Sequence, residues 1–190
     1  MEKVFFENTY GYDNFISEDE RMKLENWALS LKDDMILAKP MNDEKDQYEE
    51  KLIRQFSKLS DLTNVPNIVN ILKSKIIKLE SLENALPEII NGDWIGIVGE
   101  GAYVEPHTDA NLNNNYYTRR YNLLISVPIE GGNPIYDGIL IPIKEKLLWR
   151  CDAGLFNHTS QKVIGNKFRI TLSFGFSIPT NLKNYKKTLL

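Results

Sequence analysis

The sequence has 190 residues, of which 42% are hydrophobic, and its 23 basic and 26 acidic residues give a net charge of −3. This length allows one substantial core, and the lack of a basic cluster argues against a nucleic-acid partner. Cys151 is the single cysteine and cannot form an internal disulfide, so we assign it a packing role. No apolar stretch reaches the roughly 20 residues that cross a bilayer, and the first residues do not resemble a secretory leader. We expect one cytoplasmic domain over residues 1–190, with no membrane association.

Three helices are predicted in the first half of the chain. The first opens at a capping box formed by Ser17 and Glu20, the second lies within residues 43–60, and the third begins near Pro66. In each segment the apolar side chains recur at steps of three and four, the period of one helix face: Leu24, Trp27, Ala28 and Leu31; Tyr48, Leu52, Phe56 and Leu59; Ile68, Ile71, Leu72, Ile76 and Leu79. These patterns predict a mostly helical region over residues 1–92.

Short apolar or alternating runs replace the helical pattern from Asp93 onward. Turn residues such as Gly131-Gly132-Asn133 and Asp137-Gly138 separate them, and the runs are WIGIV, YNLLISVPI, GILIPI, KLLWRC and FRITLSFGF. Short strands at this spacing are typical of a β-sandwich or jelly roll. We therefore predict a mainly β protein with a jelly-roll core over residues 93–180 and the N-terminal helices packed on one outer face.

The segment YVEPHTD contains one of the two histidines of the chain. In an extended segment, residues two positions apart lie on the same face, so His107 and Asp109 would point together. The second histidine, His158, follows after enough chain for a rolled sheet to return it to this pair. Two imidazoles and one carboxylate are the ligand set of non-haem Fe(II) oxygenases, which leaves metal positions open for O2 and an organic cosubstrate. The alternative is that both histidines are unrelated polar residues at strand ends.

The last predicted strand, FRITLSFGF, alternates strictly between apolar and polar residues. Arg169 and Thr171 lie on its polar face, which is either the solvent-facing side of an edge strand or the wall of a site inside a barrel. In the second case, the guanidinium could pair with a carboxylate in two hydrogen bonds, and the hydroxyl could add a third. This pair of residues could then hold the far end of a dicarboxylate.

These motifs resemble a known family. The segments HTD, NHTSQKV and RIT are similar to the HxD…H…RxS/T pattern of the 2-oxoglutarate and Fe(II)-dependent oxygenases. The segment YDNFISEDERMKLENWA resembles the strand, loop and first helix that open many members. The segment GEGAYVEPHTD resembles the approach to the metal in the prolyl-hydroxylase-like branch. The extended arginine-rich C-terminal motif of the nucleic-acid demethylases is absent, which argues against that branch.

The resemblance implies a double-stranded β-helix, the jelly roll also found in cupins. It implies that His107, Asp109 and His158 bind Fe(II), and that Arg169 and Thr171 bind the distal carboxylate of 2-oxoglutarate. Prolyl hydroxylases also keep a tyrosine for the cosubstrate; the candidates for this additional cosubstrate residue are Tyr103, Tyr121 and Asn122.

A loop after the HxD motif often covers the site in this family. Residues 111–120 are therefore predicted to close over substrate, with Arg119 and Arg120 as candidate substrate-binding residues. The alternative is that the two arginines are only solvent-exposed charges at the start of a strand. Trp94 and Trp149 lie in strand-like apolar runs and are predicted to be core aromatic residues.

The predicted function is that of a dioxygenase using Fe(II), 2-oxoglutarate and O2, which hydroxylates an amino-acid or peptidyl substrate, prolyl included, and releases succinate and CO2. The partner is thus a small molecule or a peptide or protein. Two alternatives stay open. One is a cupin-like metalloenzyme that does not use 2-oxoglutarate, and the other is a non-catalytic jelly-roll binding module.

Overall fold

The computed structural model of the protein describes residues 1–37 and 53–180. Within these ranges the chain forms two α-helices, α1 (Glu18–Ser30) and α2 (Asn67–Leu79), and two short 3-10 helices, Lys32–Asp34 and Leu59–Asp61. The rest of the regular structure is β, and the strands in chain order are β1 (Glu2–Phe5), β2 (Tyr10–Asp13), β3 (Ile36–Leu37), β4 (Arg54–Lys58), β5 (Leu86–Pro87), β6 (Trp94–Val98), β7 (Tyr116–Ser126), β8 (Glu130–Gly131), β9 (Pro134–Tyr136), β10 (Ile139–Leu140), β11 (Leu148–Cys151), β12 (His158–Ser160), β13 (Val163–Ile164) and β14 (Arg169–Pro179). The protein is therefore mainly β, as predicted.

None of the described helices is long and apolar enough to cross a membrane.

The first and third predicted helices are confirmed as α1 and α2. The Ser17 hydroxyl accepts a hydrogen bond from the Glu20 amide, and the Glu20 carboxylate accepts one from the Ser17 amide, which completes the predicted capping box. Helix α2 begins directly after Pro66, whose φ of −61° suits a helix start. Both helices bury residues of their apolar faces, namely Leu24 and Ala28 in α1, and Val69, Leu72 and Ile76 in α2.

The second predicted helix is wrong where the structure describes it. Residues 54–58 form strand β4, which pairs along its whole length with β6, whereas residues 43–52 lie outside the described ranges. Local helical periodicity is a weak preference, and pairing of the main chain with a buried strand overrides it here. The expectation of mostly helical structure over residues 1–92 is likewise corrected, because the described part of this region contributes strands β1 to β5.

The strands form one large sheet and two small ones. The large sheet has the order β1-β2-β11-β7-β14-β6-β4-β3, with β5 paired to β14; the small sheets are β10-β9-β12 and β13-β8. All pairs between named strands are antiparallel. This arrangement fits a jelly roll.

The long strands β7 and β14 divide the interior into two sides by the alternation of their side chains. On one side, residues such as Leu123 and Phe174 join the helices in the main hydrophobic cluster. On the other side lie polar residues of β14 and a second cluster that contains Trp149 and Cys151. Trp149 and Cys151 are buried among apolar residues, whereas Trp94 is only half-buried. The polar side of β14 therefore faces the interior and not solvent.

Candidate metal centre

The two histidines lie opposite each other on neighbouring extended segments. The amide of His107 donates to the carbonyl of His158 at 3.0 Å, and the amide of His158 donates to the carbonyl of His107 at 2.8 Å. Side chains of directly opposed residues point to the same side of such a pair, and the centroids of the two imidazole rings are 4.2 Å apart. Main-chain pairing thus brings together two residues that are far apart in the sequence.

Asp109 completes the group. Its amide donates to the carbonyl of Ala153 at 2.8 Å, so the segment after His107 keeps pairing with the chain that leads to His158. Asp109 Oδ1 is 3.4 Å from His107 Nε2 and 3.6 Å from His158 Nε2, and the three potential ligand atoms all lie within 4.8 Å of one another. Two atoms that coordinate one ion at right angles, each about 2.1 Å from it, would be about 3 Å apart. The structure therefore brings the three predicted ligands into the geometry of a metal site.

The other nitrogen of each imidazole contacts the main chain. Nδ1 of His107 lies 2.7 Å from the carbonyl oxygen of Glu105, and Nδ1 of His158 lies 3.2 Å from that of Phe156. A carbonyl can only accept, so the Nδ1 atom of each ring carries a proton, and Nε2 is the ring nitrogen that faces Asp109. Hydrogen bonds of this kind orient metal-bound histidines in proteins. The donor set fits Fe(II) in the arrangement of two histidines and one carboxylate.

The protonation states agree with this arrangement. Burial and the neighbouring His107 lower the pKa of His158 to about 4, so the ring is neutral near neutral pH. Burial alone would raise the pKa of Asp109, but its contacts with His107, Arg120 and His158 lower this pKa well below the usual value. A neutral imidazole and an ionised carboxylate are the forms that coordinate metal ions.

Arg120 holds the carboxylate that faces the histidines. Its Nε donates to Asp109 Oδ2, its NH2 group donates to Glu88 Oε2 at 2.9 Å, and its NH1 group donates to the carbonyl of Gly92 at 3.0 Å. The residue beside it on β14 is Gly175, where an added Cβ would lie 2.9 Å from Glu88 and 3.2 Å from Arg120. Only a residue without a side chain allows this close approach.

Arg119 and Arg120 do not project from a loop. Strand β7 begins at Tyr116, so the loop predicted over residues 111–120 ends before either arginine. Arg119 points to the opposite face from Arg120, and its Nε donates to Asp152 Oδ1 at 2.5 Å. Both side chains are buried and engaged with carboxylates. Their predicted role in binding substrate therefore gains no support, and the position of Arg120 favours a role in orienting Asp109.

Arg169 and Thr171 share one face of β14, as the alternation predicts, and the structure shows that this face looks into the interior. Arg169 is 7% exposed, and its NH1 group donates to the carbonyl of Gly132 at 2.8 Å, but its buried Nε atom has no hydrogen-bond partner among the described residues. Burial and the charge of Arg54 lower the pKa of Arg169 to about 10. A buried guanidinium with an unsatisfied donor is costly without a ligand, so this end of the strand suits a carboxylate.

The remaining cosubstrate candidates occupy different positions. Asn122 is 8% exposed and lies opposite Ser173 on the interior side, where the buried Ser173 hydroxyl has no hydrogen-bond partner in the described part of the chain. Tyr103 is half-buried, and Lys162 Nζ lies 5.9 Å from its ring centroid. Tyr121 points to the helix side, where its hydroxyl donates to Glu80 at 2.8 Å. Asn122 thus shares a face with Thr171 and Arg169, whereas Tyr121 does not.

Sequence reasoning missed several residues that surround these groups. Glu105 lies two positions before His107, so the same alternation that paired His107 with Asp109 could have found it. Arg54, which forms an ion pair with Glu105, lies in the segment predicted as a helix and could not be placed. Glu88 precedes β6 in a segment without a recognisable motif, and no signal in the sequence connects it with Arg120.

No protein-family model and no curated protein matches the sequence. Solved structures do match, and three examples cover nearly the whole chain. A prolyl-4-hydroxylase from Pseudomonas putida has a TM-score of 0.61 at 13% identity over 91% of this chain and 93% of its own. A prolyl hydroxylase from Trichoplax adhaerens, in complex with a hypoxia-inducible-factor peptide fragment, has a TM-score of 0.66 at 11% identity over 92% and 85%. HygX from Streptomyces hygroscopicus, with nickel and 2-oxoglutarate bound, has a TM-score of 0.62 at 7% identity over 90% and 83%.

These similarities confirm the predicted resemblance at the level of the fold. The chain has the fold shared by prolyl hydroxylases and by HygX. At such low identity a shared fold leaves the chemistry to be argued from the site itself.

Proposed function

We propose that this protein is an Fe(II)- and 2-oxoglutarate-dependent dioxygenase that hydroxylates an amino-acid or peptidyl substrate, prolyl included, and releases succinate and CO2. One observation carries the proposal. Three ligand atoms of the types used by non-haem Fe(II) oxygenases, from His107, Asp109 and His158, converge within 4.8 Å in a fold shared with prolyl hydroxylases.

The residues of this chain would divide the work between a metal site and a carboxylate-binding site. His107, Asp109 and His158 would hold Fe(II), which in such sites activates O2 at the expense of 2-oxoglutarate. Arg169 would pair with the distal carboxylate of 2-oxoglutarate, which would supply the partner that its buried Nε lacks. Thr171 would add a hydrogen bond from the same face of β14, and Asn122 lies on that face of the neighbouring strand.

The substrate class rests on analogy with the neighbours. Two of the three structures described are prolyl hydroxylases, and one of them is in complex with a peptide fragment. The cytoplasmic location and the single-domain organisation over residues 1–190 stay predictions.

The test is an anaerobic titration of the purified protein with Fe(II) and then with 2-oxoglutarate. We expect stoichiometric Fe(II) binding, followed by the weak visible charge-transfer band of a 2-oxoglutarate chelate, and succinate formation once O2 is admitted. His158→Ala should lose all three signals. Fe(II) binding without any effect of 2-oxoglutarate would favour the cupin-like alternative, and no Fe(II) binding would favour a non-catalytic module.

A further inference from the structure

Arg54 lies on the same side of the large sheet as Arg169, two strands away. Val98 of β6 is the register partner of Arg169 in β14 and also of Arg54 in β4. Directly opposed residues point to the same face, and Val98 packs with Ala102 and Val163, away from the helix side. At about 4.8 Å per strand, the Cα atoms of the two arginines are roughly 10 Å apart, so both side chains can reach one ligand between them.

Arg169 is a buried cation. Among residues 1–37 and 53–180, no carboxylate pairs with it; its one hydrogen bond within these ranges goes to the carbonyl of Gly132, and its Nε atom has no partner. The nearby charge that opposes its ionisation is that of Arg54. A carboxylate placed at Arg169 would therefore lie in the field of two guanidinium groups.

Glu105 anchors Arg54 at the rim of this region. Its carboxylate accepts from the NH1 group of Arg54, while its main-chain carbonyl contacts Nδ1 of His107 at 2.7 Å. Glu105 is 8% exposed and Arg54 is largely buried, so the pair is shielded from solvent and restricts where the guanidinium can lie. Arg54 is thus held between the segment of the metal ligands and the end of β14 that carries Arg169.

We propose that Arg54 is a second residue that binds the distal carboxylate of the cosubstrate. This carboxylate of a 2-oxo dicarboxylate would lie between Arg54 and Arg169 and contact both guanidinium groups. This inference rests on the proposed function and adds a binding residue to it. The chemical consequence is selectivity: a ligand of the same length without the distal carboxylate gains nothing from Arg54.

The test measures dissociation constants by calorimetry under anaerobic conditions, with the Fe(II)-loaded protein and two ligands, 2-oxoglutarate and 2-oxopentanoate. The latter has the same carbon chain but no distal carboxylate. Arg54→Gln should weaken 2-oxoglutarate binding about 10- to 100-fold, the range for one charge-assisted contact, and should leave 2-oxopentanoate binding unchanged within about two-fold. Arg54→Lys should be intermediate, because it keeps the charge but not the planar fork.

Two further variants keep the test decisive. Arg54→Gln leaves Glu105 without its cation, which can impair folding. The double variant Arg54→Gln/Glu105→Gln removes both charges. It should show the same loss of affinity for 2-oxoglutarate and no loss of affinity for 2-oxopentanoate. Lys167→Gln removes a surface cation two positions before Arg169 that pairs with Glu145, and should change neither constant.

The outcomes separate the inference from the function on which it rests. If Arg54→Gln and the double variant bind 2-oxoglutarate as the parent does, or lose the same factor for both ligands, Arg54 is not a carboxylate-binding residue. A parent protein that binds Fe(II) but no 2-oxoglutarate overturns the proposed function itself, and the inference with it.

Discussion

Arg120 donates from Nε to Oδ2 of Asp109 at 2.5 Å, which leaves Oδ1 of the same carboxylate toward the two histidines. The two residues lie on separate segments, since Asp109 belongs to an extended stretch and Arg120 to strand β7. Glu88 fixes the guanidinium from its other side. Arg120 thus decides which oxygen Asp109 presents, in the way that outer hydrogen bonds orient metal ligands in other proteins.

Replacement of Arg120 by Gln should lower the affinity for Fe(II) about 10- to 100-fold, because Asp109 loses the contact that orients it and Glu88 loses its buried counter-charge. The affinity can be measured anaerobically by competition with a chromophoric chelator. The adjacent Arg119 offers a control on the opposite face of β7. Arg119→Gln should destabilise the fold but leave Fe(II) affinity unchanged when measured where the variant is folded; equal losses in both variants would rule out a specific role for Arg120.

Arg169 should lower the stability of the ligand-free fold and should be needed to bind 2-oxoglutarate. Burial and Arg54 lower its pKa to about 10, which means that the folded state disfavours the charged form present near neutral pH. We expect Arg169→Met to unfold at the same temperature as the ligand-free parent or at a higher one. Ligand binding raises the unfolding temperature of a folded protein, so adding 2-oxoglutarate to the Fe(II)-loaded proteins should stabilise the parent and not the variant. A large loss of stability in Arg169→Met would contradict this view of the residue.

Asp152 should contribute strongly to the stability of the fold although it is not a predicted ligand. Its 1% exposed side chain accepts from Arg119 at 2.5 Å and from Arg150 at 3.1 Å. Asp152→Asn leaves two buried guanidinium groups without that charge and should cost about 3–5 kcal/mol of unfolding free energy in urea titrations. Asp13→Asn, which removes the partner of the exposed Lys144, should cost about 1 kcal/mol or less. Similar costs for the two variants would show that the buried network is not the stronger one.

Three tyrosine hydroxyls donate to one carboxylate. Tyr10, Tyr12 and Tyr121 all contact Glu80, and burial together with this carboxylate raises the pKa of each tyrosine above its ordinary value of 10.0. A raised folded-state pKa gives stability that is present below pH 10 and is lost as the pH rises further.

The unfolding free energy should therefore fall between about pH 9 and about pH 11, and Tyr12→Phe should reduce that fall, because the variant has one titrating hydroxyl fewer. Urea titrations at both pH values measure the difference. An unchanged pH dependence in Tyr12→Phe would mean that this hydroxyl titrates as it does in the unfolded chain.

Local patterns in the sequence predicted the elements whose signals are local. The capping box of α1, the start of α2 at Pro66 and the strands β6 and β14 all follow from a few neighbouring residues. Strand β4 did not follow, because its conformation depends on pairing with β6, to which no nearby residue points. The same holds for β1, which pairs with β2 at the edge of the large sheet.

The alternation of residues determined, without any structure, that His107 and Asp109 share a face and that Arg169 and Thr171 share another. Only the tertiary structure decided that His158 pairs with His107, that Arg120 supports Asp109, and that Arg54 lies on the same face of the sheet as Arg169, two strands away. The physical reason is range: the period of a strand fixes the direction of side chains along one segment, whereas the distance between segments is set by main-chain pairing and packing across the whole fold.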